Sequence, residues 1–346
     1  SSKPSTFISA LLKRILSKLQ SFGLKARSAL EYEFFLFDET PNTVREKGYQ
    51  NLTTLTPGMF GYSVLRSSVH SVLHHKLLSL CQDMDMRLEG LHTETGPGVV
   101  EAAILVDNSL HSADKAILFK TFVKVLAQKN KLMANFMAKW SDQYPGQSGH
   151  IHCSLLDEND NAVFSKNEKG EMSDLMCNFL GGLQKYMRDF TVLLAPTVNS
   201  YKRLCPGAWA PINMTWGREN RTTAFRIIEG SPHSTRIENR LGGADANPYL
   251  ALAATLGAGL LGLEQNLQPT EEVKGGAYSL KVSSNLQVPS SLKEAYRLFK
   301  GSEAARLIFG EKFVDHFSST REWEYNQSSI QTKPYKRHDS PLSQWE

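Results

Sequence analysis

Three segments of this chain place ionisable side chains at period two. Ser148-Gly149-His150-Ile151-His152-Cys153-Ser154-Leu155 sets two imidazoles on one face of a strand and Ile151 on the other. Glu31-Tyr32-Glu33 opens an apolar run, and Arg236-Ile237-Glu238-Asn239-Arg240 spaces three charges in the same way. Taken singly, each motif is short enough to be ordinary surface polarity, and the two histidines need be no more than satisfied groups near a sheet surface. If the three strands share a sheet, however, their polar faces line one cavity of carboxylates, imidazoles and guanidinium groups. Glu94-Thr95-Gly96-Pro97-Gly98-Val99-Val100-Glu101 adds two more glutamates, with a Gly-Pro-Gly turn between them that can bring both to one place.

Five carboxylates (Glu31, Glu33, Glu94, Glu101, Glu238) and His150 buried together repel unless cations neutralise them, and divalent ions do so most directly. Oxygen donors with one imidazole suit Mg²⁺ or Mn²⁺, and the absence of cysteine among the candidates argues against structural zinc. Arg203, Arg221, Arg226 and Arg240 supply guanidinium forks for carboxylate or phosphate. Anions meeting over metal ions is the problem set by phosphoryl transfer to a carboxylate.

The elements that must position these groups follow from periodicity. Thr6 to Leu19 reads as an amphipathic helix, ended by Gly23, and Ala29 to Asp38 as a buried strand. Glu39 to Gly61 reads as a loop, Ser63 to Met86 as a helix with His70, His74 and His75 on or near its surface, and Glu101 to Val106 as a strand. Then come a helix over Ser112 to Asn130, a strand over Ala134 to Lys139, the loop Trp140 to Gln147 and the histidine strand. Helices are expected over Met172 to Leu194 and Tyr249 to Leu263, two more over Leu292 to Phe317, and a loosely held polar tail from about Asn326 to Glu346.

The 346 residues, 41% of them hydrophobic, suffice for a large core. A net charge of +4, without a basic block interleaved with aromatics, gives no reason to expect nucleic acid. The longest apolar stretch, Ala251 to Leu263, is too short and glycine-rich to span a bilayer, and no signal peptide is evident, so no membrane partner and a cytoplasmic location are expected. Cys81, Cys153, Cys177 and Cys205 lack CxxC spacing and read as free thiols, with Cys153 facing away from the histidines.

Taken in order, eight motifs resemble the catalytic domain of the glutamine synthetase superfamily from Glu31 to about Phe317. They are Glu-Tyr-Glu-Phe-Phe-Leu-Phe-Asp, Glu-Thr-Gly-Pro-Gly, Phe-Met-Ala-Lys, Gly-His-Ile-His, Asn-Ser-Tyr-Lys-Arg, Asn-Arg, Arg-Ile-Glu-Asn-Arg and Ala-Asn-Pro-Tyr-Leu-Ala. The resemblance implies an α+β fold with a curved, mostly antiparallel sheet covered by helices. It implies a catalytic domain over residues 1–325 followed by a tail over 326–346. It also implies the reaction: ATP phosphorylates the γ-carboxylate of glutamate and an amine attacks the acyl phosphate. By this resemblance Glu33, Glu94 and Glu101 hold one metal, and Glu31, His150 and Glu238 the other. Arg203 and Gly149 bind glutamate; Arg221, Arg226 and Arg240 attend the transferring phosphoryl group; His152, Ser154 and Arg236 lie near ATP. The family's double rings imply a homo-oligomer.

Two departures stand out. Ammonia-using members carry a glutamate in the loop that reads Gly207-Ala208-Trp209-Ala210-Pro211 here. Trp209 cannot act as a base but can line a pocket for an alkyl or cationic amine, as in the branch that glutamylates polyamines or ethanolamine; packing under the loop is its ordinary alternative. Nothing before Glu31 resembles the family's N-terminal β-grasp domain, and the chain opens on a serine, which fits a piece of a longer protein. A catalytically silent, lengsin-like scaffold with cytoskeletal partners is the alternative from another class.

Overall fold

The computed structural model describes residues 4–168 and 170–331, with side chains placed within 8–328. In chain order the elements are α1 (Pro4–Ser21), β1 (Lys25–Phe37), α2 (Pro41–Glu46), α3 (Val64–Val69), α4 (Ser71–Asp83), β2 (Leu88–Thr93), β3 (Val99–Ile104) and β4 (Asp107–Asn108). There follow α5 (Ser109–Lys129), β5 (Met133–Asn135), β6 (Gly149–Leu156), α6 (Asp174–Phe190), α7 (Ser200–Arg203), β7 (Trp216–Arg218), β8 (Phe225–Ile228) and β9 (Arg236–Asn239). The chain then runs through α8 (Pro248–Glu264), α9 (Leu292–Gly301), α10 (Glu303–Phe309) and α11 (Glu311–Gln331).

The strands form a single sheet in the order β2-β3-β1-β6-β9-β8-β7, with β4 and β5 also paired to β1. All of these pairs are antiparallel except β7 with β8. The α+β architecture expected from the motifs is therefore observed. Alternation along β1 explains its place at the centre: Ala26, Ser28, Leu30, Tyr32 and Phe34 are buried on one face, while Arg27, Ala29, Glu31 and Glu33 turn to the other. On the buried face Tyr32 stacks on Phe119 of α5 at 6.2 Å between centroids, and Phe34 stacks on Phe136 at 5.1 Å.

Behind that layer α6 and α8 cross closely. A Cβ built on Gly262 would stand 2.1 Å from the carbonyl oxygen of Asn178, so only glycine permits the approach. Asn247 caps α8, its side chain accepting from the N–H groups of Tyr249 and Leu250, with Pro248 at the first helical position.

Several boundaries differ from expectation. The loop expected over 39–61 contains α2, begun by the capping box of Thr40 and Thr43 with Pro41 behind it. The expected helix from Ser63 breaks at His70 into α3 and α4. The strand expected over 134–139 ends at Asn135, whose side-chain oxygen accepts the Met137 N–H and turns the chain off the ladder. The segment expected as two helices up to Phe317 forms three, and α11 continues to Gln331. The remainder of the expected tail, 332–346, lies outside the described residues. No helix among the described residues is long and apolar enough to cross a membrane, and all four cysteines are free.

Candidate active site

Strand register gathers the ionisable residues. His92 of β2 lies opposite Glu101 of β3, which lies opposite Glu33 of β1; Glu31 of β1 pairs with His150 of β6. One step further along, His152 of β6 faces Glu238 of β9, and Glu238 faces Arg226 of β8. Opposed residues in an antiparallel ladder share a face, so one band of charge runs across six adjacent strands.

Two groups within the band have converging ligand atoms, each set lying within 4.8 Å of one another: Glu31, His152 and Glu238, and His92, Glu94 and Glu101. In the first, His150 Nδ1 is 3.0 Å from Glu31 Oε1 and 3.3 Å from Glu238 Oε1, and His152 Nε2 is 3.4 Å from Glu31 Oε2. Arg236 Nε donates to His152 Nδ1 at 3.2 Å, and Arg226 Nη1 donates to Glu238 Oε2 at 3.1 Å. Arg240 Nη1 completes the clasp on Glu238 Oε1. In the second group His92 Nε2 lies 3.2 Å from Glu101 Oε1 and 3.6 Å from Glu94 Oε2.

The donor set fits a divalent cation. His92 Nε2 is a buried polar atom that sits between two carboxylates without the alignment of a hydrogen bond to either. The Nε–H groups of Arg226 and Arg240 are likewise buried and unpartnered beside the first group, donors of the kind that an anion would satisfy.

A family profile described as glutamine synthetase, catalytic domain, matches residues 9–339. This chain belongs to that family. The glutamine synthetase domain is 41% identical over 329 residues to type-1 glutamine synthetase 2 of Dictyostelium discoideum, covering 94% of this chain and 63% of that protein. It is 37% identical over 322 residues to a glutamate–isopropylamine ligase of Pseudomonas sp, covering 92% and 70% of the two chains. It is 34% identical over 336 residues to the gamma-glutamylethanolamide synthetase of Streptomyces coelicolor, covering 97% and 69%. Among solved structures, GmaS without ligand superposes with a TM-score of 0.83 at 27% identity, over 94% of this chain and 74% of the other. The chain thus spans about two thirds of the length of these relatives.

Within the glutamine synthetase domain, the electrostatics separate the carboxylates. Burial works against ionisation of Glu31, but hydrogen bonds from His150 and His152 outweigh it and hold the group well below its ordinary range. Glu238 is likewise lowered, against burial, by His150 and Arg240. Burial raises Glu101, and repulsion from Glu31 and Glu33 adds to the effect. Burial also raises Glu33, opposed by the Ser148 N–H that donates to its Oε2 at 2.7 Å. Contact with Glu101 and then Glu94 pushes His92 up to about 10. Burial is overcome at Glu94 by His92, Tyr62 and Thr95, which bring it to about 2.

Not all of the expected residues join the two groups. Glu33 stands in the band and its Oε2 accepts from the Ser148 N–H, while His92 converges with Glu94 and Glu101. His150 and His152 both reach Glu31, so the imidazole expected to ligate and the one expected near ATP share a carboxylate. Arg203, expected to grip substrate, is buried and donates to the carbonyls of Leu241 at 3.0 Å and Arg240 at 3.1 Å, bracing that turn from within. Gly149, also expected to bind substrate, has its N–H committed to Gly242 O at 2.9 Å. Ser154, opposite Arg27, and Arg236 lie further along the band. Trp209 is 61% exposed with φ at 57°, so it does not pack under its loop.

Two neighbours were not anticipated from sequence. His92 stands two residues before Glu94 in the Leu-His-Thr-Glu run, and that period-two spacing was the available signal. Tyr62 lays its ring on His92 at 4.8 Å and 15°, and burial together with the nearby Glu94 pushes its hydroxyl up to about 12, with Arg221 acting the other way. Arg221, from the loop after β7, thus lies near the Glu94 end of the band.

Proposed function

We propose that the protein is an ATP-dependent ligase that makes a γ-glutamyl amide from glutamate and an organic amine. The observation that carries this reading is the band itself: two convergent carboxylate–imidazole groups beside buried arginine N–H donors that have no acceptor. Glu31, Glu238 and the two histidines of β6 would hold one Mg²⁺ or Mn²⁺, and His92, Glu94 and Glu101 the other. When bound, such ions neutralise phosphate charge and polarise the transferring phosphoryl group. Arg226 and Arg240, released from Glu238, can then meet the oxygens of the transferring group, and Arg221 joins them from across the cleft. In the reaction, an oxygen of the glutamate γ-carboxylate bonds to the terminal phosphorus and ADP departs. The amine nitrogen then bonds to the acyl carbon, phosphate leaves, and the nitrogen loses its proton.

Choice of an organic amine is supported by Trp209, exposed where ammonia-using members carry a carboxylate, and by relatives named for isopropylamine and ethanolamine. Residues 1–325 would form the catalytic domain of a cytoplasmic homo-oligomer. The test is phosphate release from ATP with glutamate and Mg²⁺ or Mn²⁺, on the full-length protein, across ammonia, isopropylamine, ethanolamine, putrescine and spermidine. An organic amine at least ten times better than ammonia in kcat/KM is expected. Ammonia as the best acceptor would overturn the amine assignment, and no turnover with any of them would overturn the ligase.

A further inference from the structure

On the helix-covered side of the sheet, away from the charged band, α2, α5 and the segment 132–137 enclose a cavity of about 360 Å³, within the size range of small-molecule sites. Its walls include Pro41 and Val44 of α2, Val125 of α5, and Leu132, Met133 and Phe136. The polar groups that converge on it are mainly cationic: Lys120 and Lys124 one helical turn apart on α5, and Arg45 from α2. Lys120 reaches to the bottom, where its Nζ donates to the carbonyls of Ala244 at 2.5 Å and Ala246 at 3.1 Å and lies 5.4 Å and 5.8 Å from the rings of Tyr32 and Phe136. Lys124 is half-buried beside it and has no hydrogen bond or ion pair among the described residues. Asp245 is the acid on the wall; its Oδ2 is held by Ser200 Oγ at 2.6 Å and Thr197 Oγ1 at 3.1 Å, while its Oδ1 is buried without a hydrogen-bond partner and burial works against its ionisation.

An ammonium kept half out of water without an acceptor is costly, and an apolar chamber beside it has room for the body of the molecule that supplies one. We propose that this cavity is a second ligand site, for a small organic monocarboxylate with an alkyl or aryl body, whose carboxylate meets Lys124 and Lys120. Tyr49, Gln128 and Asn135 add neutral polar groups to the lining, but apolar side chains dominate it, so a ligand with an apolar body suits it better than a sugar. The site also touches the catalytic cleft from behind. The turn whose carbonyls Lys120 holds also presents Gly242 O to the Gly149 N–H, next to His150. The binding claim stands independently of the ligase reading.

4-Phenylbutyrate is the probe, titrated calorimetrically into the full-length protein alongside 4-phenylbutan-1-ol and 4-phenylbutylamine, which share its body but not its charge. One-to-one saturable binding of the acid is expected, at least tenfold tighter than the alcohol and with no measurable binding of the amine. Saturating ATP, Mg²⁺ and glutamate should leave the acid's stoichiometry unchanged. Lys124→Glu, at the half-buried position, should weaken the acid at least tenfold without lowering the melting temperature, and Val44→Trp should block binding by filling the chamber. No saturable binding, as when sequence beyond this chain covers the cavity, would overturn the proposal. Equal affinity for acid and alcohol, displacement by ATP, or unchanged affinity in Lys124→Glu would do the same.

Discussion

Glu238 is only 1% exposed and stays ionised because Arg226 and Arg240 clasp both its oxygens while two histidines approach from β6. A buried carboxylate without such partners would take up a proton. The arginines thus do part of the neutralising that sequence reasoning assigned wholly to metal ions, and they are the groups a phosphate would draw away. Trp209 poses the opposite case, a large apolar ring left in solvent. If it forms one wall for the amine, Trp209→Ala raises KM for the preferred organic amine about tenfold, the loss of roughly 1.4 kcal/mol of contact. KM for ATP and glutamate should stay within twofold, as initial-rate kinetics would show; equal changes in all three would remove Trp209 from the amine site. At this scale the sequence was most legible where charge alternated on recognisable strands, as at Glu31, His150 and Glu238. It was less legible at His92, where the spacing to Glu94 was the local signal and strand register decides the rest, and at Tyr62, which a loop fold brings onto the His92 ring; Arg203 turns its fork to the carbonyls of Arg240 and Leu241.

Elements hold these residues through a few tight joints. Glu39, nearly inaccessible, ties α2 to the returning chain: its Oε1 accepts from Thr53 N–H at 2.7 Å and from Lys47 Nζ, and its Oε2 from Thr43 Oγ1 at 2.7 Å. Burial opposes its ionisation, but Lys47 and the two other donors lower it from 4.5. Its contribution is therefore complete above the usual carboxylate range and is lost as pH falls through the lowered native value. Glu39→Gln should cost about 1–3 kcal/mol at pH 7, and chemical denaturation at pH 3 should show the difference from wild type shrinking; a constant difference would mean the charge is irrelevant. At the α6–α8 crossing, Gly262→Ala puts a methyl where 2.1 Å separates it from Asn178 O. It should destabilise the fold by at least about 1–3 kcal/mol, read as a lower denaturation midpoint. Central strands and the long helices were legible because their periodicity is unbroken over many residues. β7 and β8 were not, since three or four residues with Gly217 among them carry too little pattern to separate a strand from a loop.

Across the whole molecule, one sheet does two jobs with its two faces: β1 sends aromatic rings into the helical layer and carboxylates into the band. The α+β class followed from the order of motifs, while the convergence of His92 with Glu94 and Glu101 depends on how the strands align. The central claim is that this band binds divalent cations in two places. Mn²⁺ titration of the full-length protein, followed by electron paramagnetic resonance, tests it most directly. Two ions per chain are predicted for the wild type, one for Glu238→Gln and one for Glu101→Gln, with each variant still folded by circular dichroism. Two ions retained in either variant, or none in the wild type, would contradict it.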